Sequence, residues 1–291
     1  MFRKILVSTN FTDGLHRLGQ FLPSLAAGGV EQIVFLHCVP FWSKGQIPRE
    51  DTEQIKKAQD RLSFITENIP NGMEVAVEIK SGLPIDHILK VAQTYKSDVV
   101  VVGTEPKTLL SDQLFGATII DLSARIKVPL ITFPTPLLYA LTAEELDLRC
   151  RHLLRYVGIP YDDTDVSPQL VAEFKRYAAQ RPANSLERCM LIWIIDAGIL
   201  REVPKDSLLK EAQAKLGAIK TELAGLNLEV DIEVRLGEPV PDILEIAAMS
   251  DICAIAVAGK NLGGSWDWVR NFRRDLLRGS SQPLIFFPLR S

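Results

Sequence analysis

Along the chain, short continuous apolar runs alternate with segments whose apolar positions recur every three or four residues. The runs "KILVS", "QIVFLHCV", "DVVVVG" and "VPLITFP" in the first half have the length and β-branched content of buried strands, as do "CMLIWIID", "CAIAVAG" and "QPLIFFP" in the second. "VAVEIKSG" and "VDIEVRLG" alternate instead, as half-buried strands do. Between them, "LHRLGQFLPSLAA", "DTEQIKKAQDRLSFI", "SPQLVAEFKRYAA" and "DSLLKEAQAKLGAI" read as amphipathic helices. Each half therefore reads β-α-β-α-β-α-β-α-β. Near-continuous apolar strands separated by helices predict a parallel sheet covered on both faces.

The two halves are one pattern written twice. Asp51 and Asp206 each open a helix containing K-x-A-Q-x-x-L. Gly82 and Gly237 each end an alternating strand, with Pro84 and Pro239 two residues on. Gly103 and Gly259 each end a buried strand. The offset stays near 155 residues, the separation of Asp51 from Asp206, and order and spacing persist over several blocks. The front of the repeat pairs "ILVSTNFTDG" with "VGIPYDDTDVS", so that Asn10 corresponds to Asp162 and Asp13 to Asp165. Ser167 and Pro168 make a helix start, as N-cap and first-turn proline. Thr142 with Glu145 forms a capping-box pattern. The expected organisation is a first domain over 1–137, a linker helix over 138–149 and a divergent second domain over 150–291.

Composition narrows the function classes. The 291 residues carry a net charge of −3, which argues against a general electrostatic grip on nucleic acid. Four scattered cysteines contain no C-x-x-C pair; Cys38 and Cys253 lie in apolar runs and are expected as buried, reduced thiols. The opening "MFRKILVSTNF" has neither the pattern of a signal peptide nor the length of an anchor. A cytosolic protein that binds neither membrane nor nucleic acid is the expectation.

With its "ILVSTNFTD" opening, the "GLPIDHIL" helix entry, the "DVVVVG" strand and the closing "VPLI", the chain resembles the universal stress protein family in its tandem two-domain form. The resemblance implies two doubly wound α/β domains of the adenine-nucleotide-hydrolase-like, Rossmann-like kind, each a five-stranded parallel sheet. It also implies dimeric or intramolecular pseudo-dimeric pairing and a cytosolic regulatory or protective role in the stress response, without an enzymatic reaction beyond incidental ATP hydrolysis. Some members bind ATP or AMP, with Mg²⁺ only alongside the nucleotide, and others bind none.

The binding members carry G-x2-G-x9-G-[ST] after the fourth strand. In the first domain this places the first glycine at Gly103 and the third at Gly116, while Pro106 takes the second, Ala117 the hydroxyl position and Thr118 the next. The acid that ends the first strand in binders falls on Asn10, with Thr9 before it and Val39 at the end of the second strand as further contacts. Proline removes a phosphate-binding N–H. The second domain keeps its acid, Asp162, after Pro160 and Tyr161. Its loop has Gly259, Gly263, Gly264 and Ser265 without the nine-residue spacing, and an alignment back from Pro283 competes by placing Arg270 and Asn271 there. The alternative reading is a nucleotide-free interaction module with unidentified protein partners.

Other constellations have plainer readings. Trp266 to Arg274 reads as one helix, with Trp268, Phe272 and Leu276 on the sheet and the arginines in water. His37 and His16 lack a triad partner at any recognisable spacing and read as packed or hydrogen-bonded rings. "YDDTD" offers carboxylates for Mg²⁺ beside a nucleotide. The first loops lack the S-G-G-x-D-S glycines of the adenylyl-transfer enzymes that share this broad fold.

Overall fold

A computed structural model describes residues 1–42, 49–104, 119, 121–134, 138, 142–196, 204–259 and 267–289, with backbone alone for 267–271. The chain divides into two compact units, Phe2–His152 and Leu153–Ser291, the latter joined by Met1. In the first, β1 (Lys4–Ser8), β2 (Gln32–Val39), β3 (Glu74–Ser81), β4 (Val99–Thr104) and β5 (Leu130–Pro134) form a sheet in the order β3-β2-β1-β4-β5. Its strand pairs are parallel, as in Ile5↔Ile33 and Ile5↔Val99. In the second, β6 (Tyr156–Pro160), β7 (Arg188–Asp196), β8 (Glu229–Gly237), β9 (Ala254–Ala258) and β10 (Leu284–Phe287) repeat that order as β8-β7-β6-β9-β10, again in parallel. The expected five-stranded, doubly wound α/β fold is present in each unit.

The helices follow their local signals. They are α1 (Leu22–Ala27), α2 (Thr52–Leu62), α3 (Pro84–Thr94), α4 (Ala143–Arg151), α5 (Val166–Ala179), α6 (Lys205–Ala224), α7 (Pro239–Met249) and α8 (Asp267–Gly279). Asp51 caps α2 by accepting from the Gln54 N–H at 3.0 Å, which satisfies an otherwise orphaned donor. Pro84 and Pro239 open α3 and α7, where a missing N–H costs nothing. Within the stretch expected as a linker helix, 138–149, α4 starts at Ala143 and runs to Arg151, with the complete Thr142/Glu145 capping box. It packs against α1 within the first unit, where Ser24 bonds Asp147.

Two helix starts differ from expectation. The segment after β1 begins as a 3-10 turn, Leu15–Phe21, and becomes α-helical only at Leu22. Gly19 there lies against Ile65, which a Cβ would meet at 2.5 Å. In the second unit Ser167 lies inside α5 rather than capping it. Its hydroxyl is drawn instead to the Asp162 carboxylate. The cysteines also differ: Cys150 and Cys189 are buried, while Cys38 and Cys253 are half-buried, and none of the four is in a disulfide.

Candidate functional site

Each sheet reverses its winding beside its first strand. β1 lies between β2 and β4, and β6 between β7 and β9. Doubly wound sheets bind ligands outside the carboxyl ends of the strands at this switch point. The residues that leave β1 and β6 there are Thr9-Asn10 and Tyr161-Asp162.

The two loops share one construction. Asn10 Oδ1 accepts from the Thr12 N–H at 2.9 Å and the Thr12 hydroxyl at 2.8 Å. Asp162 Oδ1 accepts from the Thr164 N–H at 3.1 Å and the Thr164 hydroxyl at 2.6 Å. Both are Asx turns. The next residue is left-handed in each, Phe11 at φ 70° and Asp163 at φ 60°, a conformation that costs a non-glycine residue energy and needs support from its surroundings. A cation from the helix after the second strand supplies contact in both units. Arg61 lies 4.4 Å from the Phe11 ring centroid, and its repeat counterpart Lys215 pairs with Asp163. Phe11 also stacks on His37 at 4.1 Å, and His37 Nδ1 lies 2.8 Å from the Thr9 carbonyl. Burial holds the His37 pKa below its ordinary value.

Beyond the turns the units diverge. In the first, Asp13 is 3% exposed. It accepts from the Thr9 hydroxyl at 2.7 Å, the Asn10 N–H at 3.1 Å and the Leu15 N–H at 2.9 Å. This carboxylate lies on Gly103: a Cβ there would meet Asp13 Cβ at 2.3 Å. Gly103 thus serves close packing of an acid, and a phosphate approaching its backbone would face that acid's charge. Thr9 is buried and Asn10 exposed, while Val39 lines a separate cleft with Phe11, His37 and α2 residues. Gly116, Ala117 and Thr118 lie outside the described residues.

In the second unit the β6–β9 ladder ends at Gly158↔Ile255, two pairs long; the matching β1–β4 ladder runs for four, to Ser8↔Val102. Pro160 takes the place of Ser8 and brings no N–H to continue the ladder. Beside this end lies a cavity of ≈ 320 Å³. Pro160, Tyr161 and Asp162 form one wall, Trp193 to Asp196 another, and Ala256 to Ala258 a third, with Ile243, Phe272 and Arg273 closing it. The surface is largely aliphatic, with carboxylates at Asp162 and Asp196 and a guanidinium at Arg273. Asp162 Oδ2 carries no hydrogen bond among the described residues, so it remains available to a ligand. Tyr161 packs on Trp193 at 5.2 Å between ring centroids, and burial with the neighbouring Asp163 carboxylate raises its phenol pKa.

Of the residues named from the sequence, the structure places Pro160, Tyr161 and Asp162 along this one cavity. Gly259 is not among the lining residues; it follows Ala258, which is, and donates to the Phe287 carbonyl at 2.7 Å. Gly263, Gly264 and Ser265 lie outside the described residues. Trp193, Ile195 and Asp196 were missed, although their place at the end of β7 marks them in any sheet of this order. Arg273 corrects the expectation of solvated arginines on α8. It is 3% exposed and donates to the carbonyls of Ala258 and Gly259, at 3.3 and 3.0 Å. Its guanidinium can satisfy strand-end carbonyls that β9 itself leaves open. Among the described residues no three His, Cys, Asp or Glu side chains converge as a metal site, and Asp163 of the acidic loop is ion-paired with Lys215. Nor is any described helix long and apolar enough to cross a membrane.

Residues 1–134 match the model of the universal stress protein family. Among solved structures, a universal stress protein from Archaeoglobus fulgidus DSM 4304 superposes with a TM-score of 0.63 at 16% identity, over 98% of this chain and 96% of that one. A functionally unknown protein from Pseudomonas aeruginosa PAO1 gives 0.58 at 14% identity, over 99% and 93%. At these identities the likeness is one of fold. No curated protein matches the sequence significantly.

Proposed function

We propose, from the premise that residues 1–134 belong to the universal stress protein family and that the same fold recurs in the second half, that this chain is a stress-response binding protein whose second domain takes an adenine nucleotide. One observation carries the reading. The ≈ 320 Å³ cavity lies at the switch point of the second sheet and gathers Pro160, Tyr161 and Asp162, where the family's acid and its neighbours fall. The aliphatic and aromatic walls suit a base, and Asp162 Oδ2 suits a ribose hydroxyl or an exocyclic amine. The expected output is a shift in affinity for a protein partner in the cytosol, which requires the nucleotide to bind one conformation better than another. The reading is of a binding protein rather than an enzyme, with AMP or ATP as ligand and Mg²⁺ arriving only with the nucleotide.

Calorimetric titration with ATP, AMP and GTP in the presence of Mg²⁺ tests this. Ile195→Trp, at a half-exposed cavity position, fills the second-domain site without touching the first. The expected result is adenine-selective binding by the wild type, lost in the variant. Undiminished binding by Ile195→Trp, or none by the wild type at millimolar nucleotide, removes the proposal.

A second reading concerns the first domain. Asp13 packed on Gly103 favours a nucleotide-free interaction module there. The same titration addresses it, because binding that survives Ile195→Trp would have to come from the first domain.

A further inference from the structure

Aligning the two repeats back from the prolines before their last strands, Pro129 and Pro283, pairs Leu122 with Leu276. Both are buried, at 2% and 0% exposure, which supports the register. The same register pairs Ile119 with Arg273, at 2% and 3%. One repeat thus places an aliphatic core side chain where the other places a buried arginine. A guanidinium stays protonated, and burying it carries a desolvation cost that a core isoleucine avoids. Arg273 is also the cation lining the second-domain cavity.

The cavity's charge is polarised across the sheet. Asp196 ends β7 and Asp162 follows β6, whereas Arg273 bonds the carbonyls at the end of β9. With sheet order β7-β6-β9, the carboxylates lie on one side and the guanidinium on the other. The rest of the lining includes aliphatic side chains, as at Ile243 and Val257. A ligand that uses all three features has hydrogen-bond donors at one end, an apolar planar body and a single anionic group at the other.

We infer that Arg273 is the specificity-determining residue of this cavity and holds the anionic group of a nucleoside monophosphate, or of another aromatic phosphate monoester, through charge-assisted hydrogen bonds. This rests on reading the cavity as a ligand site and goes beyond it by assigning the anion to a side chain. With Arg273 as the cation among the described lining residues, the site's charge matches a monophosphate better than a triphosphate.

The test compares AMP, adenosine, ATP and 1-naphthyl phosphate as calorimetric ligands of the full chain. Arg273→Met and Arg273→Lys run beside the wild type, with near-ultraviolet circular dichroism checking the fold. The expected result is wild-type AMP binding tighter than adenosine or ATP. Arg273→Met should weaken AMP by about tenfold or more and weaken adenosine by much less, with Arg273→Lys between. Equal wild-type affinity for AMP and adenosine overturns the assignment while leaving the adenine reading intact, and needs no variant to fold. So does an AMP preference that survives Arg273→Met. Binding of 1-naphthyl phosphate but of neither adenosine nor AMP, with dependence on Arg273, supports the assignment and removes the adenine reading. Binding of none of the four overturns both.

Discussion

At the scale of single residues, the first unit's switch point is organised by a carboxylate. Asp13 answers three donors of its own loop and leaves no room for a Cβ on Gly103. Gly103→Ala should therefore destabilise the first unit by about 2 kcal/mol or more. Combined with Asp13→Ala the loss should fall well short of additive; urea unfolding of the single and double variants measures both. The two histidines near Phe11 give a pH signature. His16 and His37 have pKa values held below the ordinary 6.5, chiefly because burial disfavours the imidazolium. The unfolded chain thus binds protons first as pH falls, so stability is full above about pH 6.5 and declines from there toward the lowered folded values. Denaturant midpoints should drop over that window and drop less in His37→Gln. Equal slopes for the two proteins would contradict this role of the ring.

At the scale of elements, the repeat keeps its turns and varies its contents. Both first loops use an Asx turn and a left-handed residue backed by a helix cation, yet one stacks Phe11 on His37 and the other pairs Asp163 with Lys215. Arg61→Ala should cost about 0.5–1 kcal/mol, the worth of an exposed cation–π contact. Helix α4 depends on its capping box, so Thr142→Ala should lower stability by about 1 kcal/mol. Thermal melts compared with a surface control such as Glu144→Ala would measure that loss. These starts were legible because capping acts over three or four residues. The 3-10 start at Leu15 was not, since close packing of Gly19 on Ile65 is a contact between distant segments. Nor was the place of Ser167, whose hydroxyl was taken by Asp162 before it could cap α5.

At the scale of the whole molecule, each unit carries a buried thiol of its own. Burial raises Cys150 and Cys189 to about 12, leaving almost no thiolate near neutral pH. Their labelling by a thiol reagent at pH 8 should wait for unfolding. Cys150 would report the opening of the first unit and Cys189 that of the second. Mass spectrometry of labelled peptides across a urea series follows the two separately. Rapid labelling of both in native buffer would contradict the burial described.

The sequence by itself determined the architecture, because strand and helix periods, glycine–proline helix entries and a repeat of near-constant offset are local or periodic signals. It also placed Pro160, Tyr161 and Asp162 together, since residues leaving the first strand of a doubly wound sheet must reach its switch point. Only the tertiary structure decided what stands at each switch point. That depended on Asp13 folding onto Gly103 in one unit, and on the early end of the β6–β9 ladder in the other. It also decided that Arg273 is buried, because a helical pattern gives a residue's angle around its axis and not how deeply a neighbouring strand end draws it in.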